Sequence, residues 1–253
     1  MSQTPSAGLP SLSVTELGSG PLFPMLHPGG TDSRALTSIA ACFADRYRVL
    51  LPDRRGHGRT PDAPGPMSFT AMADDTIALL EHQGAGASPL LGYSDGAVVA
   101  LMVALQRPDL VSHLIFVSGV YSLGGWPSET LDGEVPPFME DAYAEVSPDG
   151  REHFAVVVEK ARQLHKLGPT ITLEQLATIA LPVLVIVGDD DDMSLEHILS
   201  LYRALPAGEL AVVPHASHGV LVEKPELCAT LITEFLRPDK PATFAPVRRA
   251  ASE

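Results

Sequence analysis

The stretch Gly92-Tyr93-Ser94-Asp95-Gly96 lies between the apolar run Pro89-Leu90-Leu91 and a helix-like apolar run from Ala97 to Leu105. A Gly-x-Ser-x-Gly between a buried strand and a buried helix forces a tight turn with the serine at its apex. Glycine at positions 92 and 96 lets strand and helix approach closely, and Ser94 is expected to take a strained backbone conformation. The hydroxyl then stands out at the carboxyl end of the sheet. The backbone N–H of Asp95 points to where an oxyanion would form. The plainer reading, a glycine-rich turn with a surface serine, has to be weighed against the rest of the chain.

Outward from this turn, strand and helix patterns alternate. Strands are expected at residues 11–17 (an edge strand), 21–26, 47–51, 88–91, 111–118, 181–187 and 209–213. Helices are expected from Asp32 or Ser33 to about Asp45, then at 68–83, 97–106, 195–205 and 225–236. The alternation predicts an α/β fold, a mainly parallel sheet flanked by helices on both faces. Between residues 121 and 180 the strand signal disappears, while Trp126, Phe138, Met139, Tyr143 and Phe154 appear among prolines and acidic residues. Helices near 136–146, 150–166 and 172–178 are expected there, as a helical cap inserted on a core of residues 12–120 and 181–236. Residues 1–11 and 237–253 are expected to be disordered tails.

In open α/β sheets the functional groups gather at the carboxyl ends of the strands. Three loops that directly follow expected strands carry suitable chemistry: the Ser94 turn, the run Asp189 to Asp192, and Pro214-His215-Ala216-Ser217-His218-Gly219. A serine hydroxyl becomes a nucleophile when a neighbouring base takes its proton, and an imidazole oriented by a carboxylate suits that task. The chain thus offers Ser94, an acid within Asp189–Asp192, and His218 or His215, in that order.

Composition sets the bounds. The 253 residues are 45% hydrophobic and 19% charged, with a formal net charge of −14. That is enough chain for one sizeable core. A surface this acidic repels phosphate backbones, which argues against nucleic acid as a partner. Only two cysteines occur, Cys42 and Cys228, and the simpler reading is a reducing compartment. No apolar run reaches membrane-spanning length, and Met1 to Pro10 has neither the basic nor the apolar region of a signal peptide. The expectation is a cytoplasmic protein acting on a small molecule, with no membrane partner, metal or cofactor.

Together these motifs resemble the α/β-hydrolase superfamily over about residues 12–236. The likeness rests on Gly92–Gly96, on Asp53-Arg54-Arg55-Gly56-His57-Gly58, on Gly188-Asp189-Asp190-Asp191, and on Ser217-His218-Gly219 followed by Glu223-Lys224-Pro225. The resemblance implies Ser94 as nucleophile, Asp191 as acid and His218 as base, with oxyanion donors at Gly29 and Asp95. In His27-Pro28-Gly29-Gly30 a proline stands where the family has its first glycine, and Pro24 interrupts an otherwise apolar strand. The residues themselves also favour Asp191: Asp189 and Asp190 enter the turn after the strand, and Asp192 lies at the start of the next helix.

The implied activity is hydrolysis of an ester, thioester or lactone of a small, largely apolar substrate through an acyl-enzyme. A receptor-like binding protein of the same fold with slow or no turnover remains an alternative, as does a C–C bond hydrolase or cofactor-free haloperoxidase with the same triad. The expected pocket residues are His27, Tyr93, Tyr121, Trp126, Phe138, Met139 and Tyr143. Bland roles suit other candidates: His57 and Asp53 as loop-ordering groups, His215 as a loop histidine. The aspartate run lacks the glycine and spacing of a calcium loop, and His215 with His218 lacks a third zinc ligand.

Overall fold

The computed structural model describes residues 12–127 and 135–248. The expected tail 1–11, residues 128–134 of the expected cap and residues 249–253 of the other tail lie outside them. Seven strands form one sheet: β1 (Val14–Leu17), β2 (Leu22–Leu26), β3 (Arg48–Pro52), β4 (Ser88–Tyr93), β5 (Val111–Val117), β6 (Val183–Asp190) and β7 (Gly208–Ser217). Their order is β1-β3-β2-β4-β5-β6-β7. Only the edge strand β1 runs antiparallel, against β3; every other pair is parallel.

Burial on both faces follows from the two-residue period of a strand. Leu114 and Phe116 of β5 face one core cluster, while Ile115 and Val117 face the other. In β6, Val183, Val185 and Val187 join the first cluster, and Leu184 and Ile186 the second. The first face is covered by α2 (Phe69–Gln83), α3 (Asp95–Gln106) and, beyond β6, α7 (Leu195–Ala204). The second is covered by the segment around α1 (Thr37–Ala41), by the short α8 (Val220–Glu223), and by α9 (Pro225–Phe235). This is the mainly parallel sheet with helices on both faces that the alternation predicts.

Three local differences have physical causes. The helix expected over 33–45 is a 3-10 turn, Ser33–Leu36, followed by only five α-helical residues. Its flanks are held by i→i−3 bonds, such as Phe43 N–H to Ala40 O at 3.0 Å, which tighten the chain. Strand β7 runs on through Pro214 to Ser217 after a register shift opposite Gly188 and Asp190. Pro24 sits inside a fully buried interior strand. Leu22, Phe23 and Pro24 pair with β3, while Met25 and Leu26 pair with β4, so the missing donor falls where the pairing changes partner.

Between β5 and β6 the described residues form α4 (Pro137–Val146), α5 (Phe154–Leu167) and α6 (Leu173–Leu176), and no strand of the sheet. Pro137 occupies the first turn of α4, and Thr172 caps α6 in a capping box with Gln175. Among the described residues, no helix is long and apolar enough to cross a membrane.

Candidate active site

Ser94 follows β4 directly and is the N-cap residue of α3, with φ 56° and ψ −121°. This is a strained conformation for a residue with a side chain. Its backbone is pinned by Ser94 N–H to Val117 O at 2.8 Å and by Ala97 N–H to Ser94 O at 2.8 Å. The flanking glycines are required by space. A Cβ on Gly92 would lie 2.2 Å from Gly96 O, and one on Gly96 would lie 2.3 Å from Leu26 O.

His218, after β7, meets Ser94 and the aspartate run. Its Nδ1–H donates to Asp191 Oδ1 at 2.9 Å, and its Nε2 accepts from the Ser94 hydroxyl at 3.1 Å. The Asp191 side chain is fully buried, and the same oxygen also accepts from Met193 N–H at 3.1 Å. Asp192 lies 3.3 Å from the same imidazole nitrogen, but its side chain is 53% exposed. Asp189 accepts from Ala216 N–H at 3.2 Å and thereby ties β6 to β7. His215 is exposed, at the left-handed backbone angle φ 55°.

Burial alone would raise the Asp191 pKa, but the His218 hydrogen bond and charge, with help from Ser118 and Met193 N–H, hold it below the usual carboxylate range. Burial likewise works against a charged His218; Asp191 and then Asp192 outweigh it and raise the imidazole pKa. The donor atoms of Asp191, Asp192 and His218 lie within 4.8 Å of one another, the spacing of a metal cluster. Here, however, both imidazole nitrogens are engaged, one by Asp191 and one by Ser94.

A second polar cluster lies under the turn. Asp95 heads α3 and is 3% exposed. Its carboxylate accepts from His165 Nε2–H of α5 at 2.9 Å. Arg54 is buried beside it, donating to His27 O at 2.9 Å. Burial tends to raise the Asp95 pKa, but the charge and hydrogen bond of His165, and then the Arg54 charge, bring it down to about 2. Burial and then Arg54 push His57 down to about 4, so its ring is neutral. A Cβ on Gly29 would sit 2.2 Å from Asp95 Oδ2, which brings the His27–Gly30 loop against the head of α3.

The seven expected pocket residues divide. Phe138, Met139 and Tyr143 of α4 line a cavity of about 270 Å3, with Phe154, Val157 and the ring of His57. The cavity also touches Gly30, next to Gly29, while Ser94 is not on its wall and is 7% exposed. His27 is placed differently from expectation. It is fully buried, its Nδ1–H donates to Pro28 O and its Nε2 accepts from Arg54 N–H, so it fastens loops together. Tyr93 packs behind His218 and donates its hydroxyl hydrogen to the His218 carbonyl. Tyr121 stacks on His197, and Trp126 donates to Gly168 O while packing on His165. All four are spent on internal contacts. His165 and Arg54 were not legible as site residues, because their partners lie far away in sequence and no local spacing marks them.

Comparison with known proteins came from sequence and from structure. A family model described as "Alpha/beta hydrolase family" matches residues 25–231. A pimeloyl-[acyl-carrier protein] methyl ester esterase of Aeromonas hydrophila is 26% identical over 258 residues, spanning 89% of this chain and 99% of that protein. A 2-(acetamidomethylene)succinate hydrolase of Mesorhizobium japonicum is 25% identical over 254 residues, spanning 89% of this chain and 91% of that protein. Among solved structures, a thermophilic esterase from Thermogutta terrifontis superimposes with a TM-score of 0.71 at 25% identity, covering 89% of this chain and 93% of that one.

Proposed function

Because the chain belongs to the alpha/beta hydrolase family and is a hydrolytic enzyme, we propose that it cleaves an ester, thioester or lactone of a small, largely apolar substrate through an acyl-enzyme on Ser94. The observation that carries this reading is His218, held between Ser94 Oγ at 3.1 Å and Asp191 Oδ1 at 2.9 Å. His218 takes the Ser94 proton as Oγ attacks the substrate carbonyl, and the backbone N–H groups of Asp95 and Gly29 receive the developing oxyanion. The imidazolium then gives its proton to the leaving alcohol or thiol. Water, deprotonated by the same histidine, releases the acid. Asp191 keeps the histidine in the tautomer that leaves Nε2 free to accept. This scheme needs neither a metal nor a cofactor.

Within residues 121–180, the described helices α4, α5 and α6 act as the cap of this site, and the 270 Å3 cavity under α4 and α5 holds the apolar part of the substrate. The esterase and hydrolase names of the relatives agree with carbonyl chemistry of this kind. A reducing, cytoplasmic setting suits Cys42 and Cys228, both of which are free. The partner is a small molecule; neither nucleic acid nor a membrane is part of the scheme.

The test is a hydrolysis screen over esters, thioesters and lactones of graded acyl length, run beside Ser94→Ala. Turnover should concentrate on short to medium apolar acyl groups and vanish in the variant. Turnover on none of the three classes, or equal turnover in Ser94→Ala, would remove the reading.

A further inference from the structure

The acyl-transfer scheme uses only the backbone N–H of Asp95, yet its carboxylate is buried in the same place. Oδ1 accepts from His165 Nε2–H at 2.9 Å, with His165 reaching down from α5. Oδ2 fills the space over Gly29, where a Cβ would meet it at 2.2 Å. The carboxylate therefore lies between the two residues whose N–H groups are assigned to the oxyanion. A negative charge here, balanced by the Arg54 charge alone, would oppose the charge that grows on the substrate oxygen, and burial strengthens that opposition. It would also be free to turn away from Gly29 and loosen the loop that carries the donor.

We propose that His165 is a positioning residue for the oxyanion hole: its imidazolium neutralises the Asp95 carboxylate and holds it against Gly29, so the hole is complete only while α5 is docked on the core. The proposal rests on the reading of Ser94 as nucleophile. It also explains why a histidine side chain only 12% exposed lies over the turn, wedged between Trp126 at 4.5 Å and Phe69 at 6.4 Å. Gly29 is needed because any side chain there would take the place of Oδ2.

The pH dependence follows from the groups that face His165. Asp95 faces it from α3 and Arg54 from the loop after β3, while the Trp126 and Phe69 rings carry no charge. His57 and His27 stand behind them, next to Asp95 and Arg54, and both are held neutral by burial and by Arg54. For His165, burial favours the neutral form, but the Asp95 charge and hydrogen bond outweigh burial and Arg54 and raise its pKa. The imidazolium is thus present at lower pH and is lost as pH rises through that raised value. His218 must be neutral to act as base, so its contribution to the rate grows as pH rises through its own raised pKa. His165 acts in the opposite sense: what its imidazolium adds to the rate is lost as pH rises through the His165 pKa.

The experiment measures kcat and KM for p-nitrophenyl butyrate from pH 5 to 10 in the wild type, His165→Gln, His165→Lys, Asp95→Asn and the double variant Asp95→Asn/His165→Gln, with Ser94→Ala as control. His165→Gln should lower kcat about tenfold or more while KM changes by less than about threefold, as expected for a contact that serves the transition state. Its profile should lack the component that is lost with the His165 proton, and His165→Lys should move that component to higher pH. In the Asp95→Asn background the same His165→Gln change should cost less than about twofold, because no charge is left to neutralise. A wild-type profile in His165→Gln overturns the proposal. So does an equal loss in both backgrounds, which would mark a merely structural histidine. Activity retained in Ser94→Ala would instead defeat the acyl-enzyme reading on which the proposal rests.

Discussion

The Asp191 carboxylate is buried and the Asp192 carboxylate is half in solvent, although both lie within 3.3 Å of the same His218 nitrogen. Desolvation decides between them. A buried anion interacts with the imidazolium with little screening, while an exposed one is largely screened. Asp191→Asn is therefore expected to lower kcat by on the order of 10³–10⁴-fold, through the wrong histidine tautomer. Asp192→Asn should lower it by less than about fivefold. A steady-state comparison of the two variants checks this, and the reverse ranking would move the acid one place along the run. The order Ser, Asp, His was legible because each group follows a strand in a recognisable motif. The Asp95–His165 contact was not, since it joins residues 70 positions apart, and a histidine on an amphipathic helix has no local sign of what it faces. His27, Tyr93, Tyr121 and Trp126 make internal contacts that their sequence does not announce, for a related reason. An aromatic near an expected site looks the same in sequence whether it lines a cavity or fastens a loop.

The turn between β4 and α3 is the element most closely specified by its letters. A Cβ at Gly96 would press on the carbonyl of Leu26 in the neighbouring strand, and neither backbone segment can yield easily. Gly96→Ala is thus expected to destabilise the fold by at least ~2 kcal/mol, the order of a core overpacking change. Denaturant unfolding would register this as a lower midpoint at an unchanged slope. Ser94→Ala should leave Tm unchanged or slightly higher, because it removes no packing at the strained φ of 56°. Strands and long helices were readable from periodicity. The ends of β7 and the 3-10 character around α1 were not, because pairing with a neighbouring strand and i→i−3 bonding depend on tertiary context. Pro24 was read as an interruption, yet the strand continues past it, since the proline falls where β2 changes its pairing from β3 to β4.

Across the whole molecule, α4 and α5 are fastened to the core by charged groups as well as by apolar packing. Asp62, in the loop after β3, accepts from Lys160 Nζ at 2.6 Å and lies 2.9 Å from His153, both in the segment that ends in α5. Arg34 reaches α4 through Glu145 and the Ala142 carbonyl while paired with Asp32. Burial tends to raise the Asp62 pKa, but Lys160 and His153 outweigh it and hold it below the ordinary value. A depressed carboxylate stabilises the folded state above its unfolded pKa, and that contribution fades as pH falls through the folded value. The fastening should therefore persist at neutral pH and weaken only in acid. Asp62→Asn is expected to speed amide hydrogen exchange in α5 at neutral pH while leaving β4, β5 and β6 protected; unchanged α5 exchange would assign the docking to apolar contacts alone. The proposed chemical event is acylation of Ser94, and the most direct measurement is the trapping of that event. The protein is incubated with a fluorophosphonate, digested, and the modified peptide located by mass spectrometry, in the wild type and in His218→Ala. The expected result is a single adduct on Ser94 that forms orders of magnitude more slowly without His218; an adduct at another residue, or labelling of Ser94 at an undiminished rate in His218→Ala, would contradict the account.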